Sequence, residues 1–293
     1  MSFKKSVSAL VMLVFSVLLL AACGSSKAKD ESKPVATVTS NTKVIMLDIG
    51  QGDSMLIQSG GKNILVDASK IDTRQQLMAK LSKYNVKSLD LVIGTHAHED
   101  HIGGMDAVLN TIPIKEIYDP GAPSTSKLYY NYLNKIKEKK IKFTIPRPGS
   151  KYEIATGVYL EFYTPLPVQG DGGANNTSLV FKLVDPSFSM LFTGDVEKDM
   201  ESLIVDKYGD KLQSNILKSP HHGSKTSSTP KLLEVVKARD VLISCAQGND
   251  YGHPHQIVVD RYKKANMNMY VTYQKGDITV SGAEKGYKIT TER

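Results

Sequence analysis

The chain has 293 residues, 41% of them hydrophobic, with two cysteines and a formal net charge of +7. From Lys43 onward about 250 residues remain, which fits one large domain rather than an array of small ones. The positive surplus is mild; it favours an anionic partner such as nucleic acid, phospholipid or wall polymer, without choosing among them.

The first element is a processing segment. Lys4 and Lys5 precede an apolar run from Val7 to Ala22, interrupted only by Ser8 and Ser16. The run has the length of a signal-peptide core and is short for a membrane span. It ends in Leu20-Ala21-Ala22-Cys23, which resembles a bacterial lipobox. That resemblance implies removal of residues 1–22, a lipid on Cys23, and a body held on the extracytoplasmic face of the cell membrane. With Cys23 lipidated, Cys245 has no partner for an intrachain disulfide, and its apolar setting "DVLISCAQG" predicts a buried, inert thiol. Residues 23–42 are small and polar and read as a flexible tether, leaving residues 43–293 as the folded domain.

Within the body, strands and helices alternate. "KVIMLDIG", "SMLIQSG" and "NILVDAS" are β-rich runs bounded by glycine or polar residues. Ile71, Leu77, Met78 and Leu81 have helical spacing. "LDLVIGT" predicts a strand buried on both faces. A helix is expected at 126–140, where Tyr129, Tyr132, Leu133 and Ile136 form the core-facing stripe and the lysines face solvent. Strands follow at "VYLEFYT", "TSLVFKLV" and "FSMLFTGD", then a helix at 197–209, a strand at "SNILKSP", a helix near 229–238, a strand at "DVLISCA" and a helix over 256–265. "MYVTYQ" and "DITVSG" close the chain as strands.

The chemistry concentrates in the histidines. All seven fall in three groups: His96, His98 and His101; His221 and His222; His253 and His255. Each group follows an apolar strand-like run, and strand ends of a layered fold converge on one rim. "THAHEDHIGG" places three imidazoles and two carboxylates between His96 and His101. Imidazole with carboxylate suits zinc, manganese or iron rather than calcium. His96 and His98 alternate in an extended loop and can point together, while Asp100 and His101 begin the next turn and can face a second point. Asp195 in "LFTGDV" follows a strand, and its two oxygens could bridge two cations. In "SPHHGS" either His221 or His222 could be the ligand, with His222 favoured and His221 turned towards substrate. His253 and His255 flank a stiffening proline, positioned for a phosphate or leaving group. Asp53 and Asp67 end the first loops; Asp67 is a candidate for bracing a ligand imidazole, and Asp53 a brace or a turn residue.

These motifs carry a resemblance. In order, "LDIGQGDSMLI", "ILVDAS", "LDLVIGTHAHEDHIGG", "NNTSLVFKL", "MLFTGDVE", "ILKSPHHGS" and "YGHPH" resemble the metallo-β-lactamase-fold hydrolases, and most of all the extracellular hydrolase domain of ComEC-type competence proteins. The likeness covers nearly the whole body. It implies an α/β, four-layer αβ/βα sandwich with a two-metal site on one edge. It further implies His96 and His98 at one metal, Asp100, His101 and His222 at the other, and Asp195 between them. Many superfamily members have a further metal histidine between the first cluster and the bridging aspartate; here none lies between His101 and Asp195. "GANNTSLV" occupies that region, where Asn175 or Asn176 could hold a ligand water or the substrate, and manganese is as suitable as zinc.

The expected activity is hydrolysis by a metal-activated hydroxide. Asp100 would handle the attacking water, and His221, His253 or His255 would protonate the leaving oxygen. The ComEC-like resemblance implies a phosphodiesterase or nuclease with an anionic substrate, DNA among the candidates. Other readings of the same residues are hydrolysis of phosphorylcholine esters, lactones or β-lactams, and a non-catalytic, metal-stabilised lipoprotein binding module. Apart from the lipid-mediated membrane contact, nothing in the sequence calls for an obligate protein partner.

Overall fold

A computed structural model describes residues 41–167 and 173–293. The signal-like run, Cys23 and all but the last two residues of the expected tether lie outside the described residues. The strands, in chain order, are β1 (Lys43–Met46), β2 (Met55–Ser59), β3 (Lys62–Val66), β4 (Leu91–Ile93), β5 (Glu116–Tyr118), β6 (Lys142–Thr144), β7 (Lys151–Ala155), β8 (Val158–Phe162), β9 (Phe181–Val184), β10 (Ser189–Phe192), β11 (Ile216–Lys218), β12 (Asp240–Ile243), β13 (Asn268–Val271), β14 (Ile278–Gly282) and β15 (Tyr287–Thr291). The helices are α1 (Arg74–Lys83), α2 (Glu99–Ile102), α3 (Met105–Thr111), α4 (Lys127–Glu138), α5 (Lys198–Tyr208), α6 (Pro230–Val236), α7 (Gln256–Lys264) and α8 (Thr272–Lys275).

Two sheets form. One has eight strands in the order β15-β14-β1-β2-β3-β4-β5-β6, the other seven in the order β13-β12-β11-β10-β9-β8-β7. Each is antiparallel where hairpins connect neighbours and parallel where helices cross over: β3 to β6 in the first, β10 to β13 in the second. The tight β2–β3 turn rests on Gly60 and Gly61, both at positive φ.

Alternation along the strands builds three apolar layers. Val44, Met46, Ile64 and Val66 face the other sheet, meeting Phe162, Phe181 and Phe192. Ile45, Leu47 and Leu65 point the other way, against Leu77 and Leu81 of α1, Val108 of α3 and Tyr132 and Ile136 of α4. Leu191, Leu217 and Val241 pack beneath Ile204 of α5, Leu232 of α6 and Val258 of α7. Helix, sheet, sheet, helix is the four-layer sandwich expected. Strands β4, β11 and β12 are buried throughout, as parallel strands covered on both faces must be. On α4, Tyr129, Tyr132 and Ile136 are buried and Leu133 packs partly against the same layer, so the stripe is core-facing.

The local expectations need three corrections. The first helix starts at Arg74, and Ile71 is 40% exposed before it instead of joining the core. The strand expected through Gln274 stops at Val271, because Thr272 Oγ1 accepts from Cys245 N and donates to Cys245 O, and the chain turns into α8. Strands β5, β6, β7 and β15 and helix α2 were not anticipated, whereas α3 follows Gly103 and Gly104, where a tight turn into a helix is expected. Among the described residues, no helix is long and apolar enough to cross a membrane.

Candidate metal centre

Loops leaving the strand ends of both sheets meet at one edge. The β1–β2 loop carries Asp53, the end of β3 carries Asp67, and the loop and short helix after β4 carry His96 to His101. From the other sheet, Asp195 follows β10 and His221 and His222 follow β11. Backbone hydrogen bonds stitch the first group together: Asp53 N to Asp100 O (3.0 Å), Ala68 N to His101 O (2.6 Å) and Ser69 N to Asp53 O (2.9 Å).

Each buried imidazole is aimed by a partner behind it. Asp67 Oδ2 lies 2.7 Å from His101 Nδ1, while its oxygens also accept from the Thr95 N–H and hydroxyl at 2.8 Å. With Nδ1 so engaged, His101 turns Nε2 inward. His222 Nδ1 donates to Ser244 O at 2.8 Å, which likewise leaves Nε2 for the centre. His221 and His222 both have positive φ, and that backbone lets two consecutive rings enter one cleft. The donors then converge: His101 Nε2 is 3.1 Å from Asp195 Oδ2, and His222 Nε2 is 3.4 Å from Asp195 Oδ2 and 3.3 Å from Asp100 Oδ2.

These residues fit a cation. Donors about 2.0–2.1 Å from a common tetrahedral centre stand about 3.3 Å apart, which is the spacing just described. His101 Nε2, His222 Nε2 and Asp195 Oδ1 are buried without a hydrogen-bond partner, a costly state unless something binds them. Asp53 lies in the same compact group of donors, within 4.8 Å of His101, Asp195 and His222. Its Oδ2, however, is 2.6 Å from Lys218 Nζ, and its Oδ1 is 3.5 Å from Nδ1, the rear nitrogen of His222. We therefore read Asp53 as a brace and Asp100 as the fourth donor. His96 and His98 form an adjoining pair, with Nε2 and Nδ1 3.0 Å apart.

A family profile described as "Metallo-beta-lactamase superfamily" matches residues 47–247. The chain belongs to this superfamily. It is 30% identical over 256 residues to the uncharacterized protein YcaI of Escherichia coli, covering 86% of this chain and 31% of that one. It is 28% identical over 260 residues to ComE operon protein 3 of Bacillus subtilis (82% and 33%) and 28% over 275 residues to competence protein ComA of Neisseria gonorrhoeae (94% and 36%). The chain thus spans about a third of the length of these curated relatives. Among solved structures, the fold is similar to the metallo-β-lactamase fold protein YhfI of B. subtilis, at a TM-score of 0.54 and 16% identity, covering 85% of this chain and 99% of that one. It is also similar to CmlA, a diiron β-hydroxylase of Streptomyces venezuelae, at 0.56 and 12% (82% and 54%). The chain thus combines membership of this superfamily with a His/Asp cluster able to bind metal ions.

The charge balance of this metallo-β-lactamase-fold centre follows from burial. Burial opposes a charge on His101 and His222, but Asp195 with Asp67 and Asp100 around the first, and Asp195 with Asp53 and Asp100 around the second, outweigh it. His101 is held well above the usual histidine range and His222 at about 10. Burial, with Asp195 and the neighbouring charges failing to compensate, pulls His221 down; burial and the flanking imidazoles bring His253 to about 4. Near neutral pH the centre therefore attracts positive charge, while the two outer imidazoles are neutral.

The remaining predicted residues sit as follows. His221 Nε2 is 3.8 Å from Asp195 Oδ2, and its Nδ1 faces Glu197 and Thr226. His253 lines the cleft with an unpartnered Nδ1. His255 Nδ1 accepts from Lys225 N at 3.1 Å, outside the cleft lining. Asn176 is buried and its Oδ1 accepts from Glu197 N, so it braces the Asp195 loop; Asn175 Nδ2 reaches Glu197 Oε1 at 3.3 Å. Cys245 is buried and free, with its thiol pushed up to about 12 by burial. The sequence reading missed Lys218 and Ser178. Ser178 Oγ accepts from Asp195 N and lies 3.3 Å from His96 Nδ1, joining two ligand loops. A lysine ending an apolar strand in "NILKSP" was the available signal for Lys218.

Proposed function

We propose that this chain is a membrane-tethered, extracytoplasmic phosphodiesterase that hydrolyses nucleic acid with two divalent ions, zinc or manganese. The observation that carries the reading is the group of buried His101, Asp195 and His222 with half-buried Asp100, opening into a cleft of about 320 Å³ lined by neutral His221 and His253. The ComEC-like motifs, the competence name of one relative and the positive net charge favour a phosphodiester over a carbonyl substrate. The lipobox at Cys23 supports the tether.

Asp100, His101, Asp195 and His222 would hold one ion, and His96 and His98, with Asp195 shared, the other. Bound ions would supply Lewis acidity and acidify a water into the neutral range. Asp67 and Ser244 keep the ligand imidazoles oriented, so no rearrangement is needed as charge develops. Asp100 is 22% exposed at the cleft and can accept a hydrogen bond from the attacking water. Neutral His221 and His253 can each donate an N–H hydrogen bond to phosphoryl oxygen; being neutral they have no proton to give up, so the leaving oxygen would take its proton from solvent water at the cleft.

The test uses the chain stripped of metal and reloaded with manganese or zinc, offered linear DNA and bis-p-nitrophenyl phosphate beside an Asp100→Ala, His101→Ala control. Metal-dependent cleavage of DNA, absent from the control, is expected. Cleavage of the small diester alone would redirect the substrate to wall or lipid phosphodiesters. Cleavage of neither, with metal bound, would overturn the phosphodiesterase reading.

A further inference from the structure

The metal cleft continues outward as a ladder of rings. The His222 and His253 imidazoles are 6.2 Å apart and 18° from parallel, and the Tyr251 ring follows His253 at 5.5 Å and 22°. The ladder runs from buried His222 through half-buried His253 to Tyr251, which is 58% exposed. Among the large apolar side chains exposed in the described residues, Tyr251 alone lines this cleft. Its loop is clasped at the base. Asn249 Nδ2 donates to Ala246 O (2.9 Å) and His253 O (2.7 Å), and Asn249 Oδ1 accepts from His253 N (3.0 Å). The Lys70 ammonium stands 5.8 Å from the centre of the tyrosine ring, bringing a positive charge to the same rim.

A fixed aromatic ring beside a cation, two ring spacings from a hydrolytic centre, suits one substrate chemistry. Nucleobases stack on such rings and the adjoining phosphates meet the cation. We propose that Tyr251 and Lys70 form a nucleobase subsite, in which an unpaired base next to the scissile phosphodiester stacks on Tyr251 and Lys70 contacts the following phosphate. A base inside a duplex already has both faces covered, so the subsite selects single strands or frayed ends. The inference rests on the phosphodiesterase reading above.

The experiment compares the manganese-loaded full chain on a single-stranded oligonucleotide and on the same backbone carrying abasic residues. The wild type is expected to show a KM about tenfold lower for the strand with bases, as one stacking contact provides. Tyr251→Ala should erase that preference and Tyr251→Phe keep it. Lys70→Ala should raise KM for both strands and flatten the dependence on salt. Equal KM values for the two strands in the wild type, or a preference surviving in Tyr251→Ala, would overturn the subsite and leave the phosphodiesterase reading standing. Failure to cleave either strand while bis-p-nitrophenyl phosphate is cleaved would overturn the subsite and the nucleic-acid substrate together, leaving the phosphodiesterase chemistry standing. Failure on all three substrates would overturn the phosphodiesterase reading as well.

Discussion

Lys218 Nζ and Asp53 Oδ2 lie 2.6 Å apart with both side chains shut off from solvent. The lysine ends β11 in one sheet and the aspartate sits in the β1–β2 loop of the other. The ammonium also donates to Ser219 O (2.8 Å) and reaches Gly194 O (3.4 Å), so one charge ties together the loops bearing Asp53, Asp195 and His222. Burial alone would lower its pKa; Asp53 and Asp195 outweigh burial and hold it above the usual lysine value.

Removing that charge leaves Asp53 buried and unpaired. Lys218→Met should cost about 3–5 kcal/mol of stability, read by urea unfolding. A Lys218→Met, Asp53→Leu double variant should lose less than the two single losses combined. Additive losses would show that the pair is not coupled.

Metal binding should release protons. The surrounding carboxylates favour the protonated forms of His101 and His222, and a cation needs their Nε2 atoms bare. Because both pKa values are raised, protons hold the centre at low pH and yield to metal as pH rises, so affinity should increase across pH 6–8. Calorimetry in buffers of different ionisation enthalpy should show more than one proton leaving per chain. No release would contradict this charge balance. Chelation should also lower the unfolding temperature.

Asp119 gives a separate pH signature. Burial raises its carboxyl from 3.8 to about 6, against hydrogen bonds from Tyr129 Oη and Gly121 N, and its Oδ2 has no partner. A carboxyl with a raised folded-state pKa supports folding fully below its unfolded value and loses that support as pH rises through the folded one. Stability should thus fall by on the order of 3 kcal/mol between about pH 4 and pH 7 from this group, and Asp119→Asn should flatten that slope in urea titrations. An unchanged slope would mean that Asp119 titrates normally.

Gly194 precedes Asp195 at φ +50°, and a Cβ there would stand 2.8 Å from Ser178 Cβ and Oγ and 3.1 Å from Thr95 Cβ. Gly194→Ala must push apart the two loops that Ser178 joins. It should cost about 1–3 kcal/mol and lower metal affinity more than Gly248→Ala, where the open space gives a control with similar backbone strain. Equal metal affinity in the two variants would argue against close packing as the cause.

How much of this was legible follows from what each residue signals locally. The histidine cluster, "LFTGDV" and "SPHHGS" are contiguous and chemically unusual, so the donors could be named without a fold. The buried strands β4 and β12 announced themselves as unbroken apolar runs. Edge strands β6 and β15 did not, because they are largely exposed and lack an apolar face to pattern. Helix α2 was hidden by the ligand motif that it carries. The roles of Lys218, Ser178 and Ser244 are set by contacts between distant parts of the chain, as with the Ser178–Asp195 bond at a separation of 17 and the Ser244–Gly52 bond at 192. Such roles have no local signature.

The division of the donors between the two sheets has a further meaning. His101 and Asp100 come from the first sheet, Asp195 and His222 from the second, so this four-donor set is complete only where the two sheets meet. The centre works as a coincidence detector for the joining of the halves: an ion held there reports that both have folded and met, and its capture pulls that union tighter. Assembly of the donor set and completion of the fold are therefore one event in this protein.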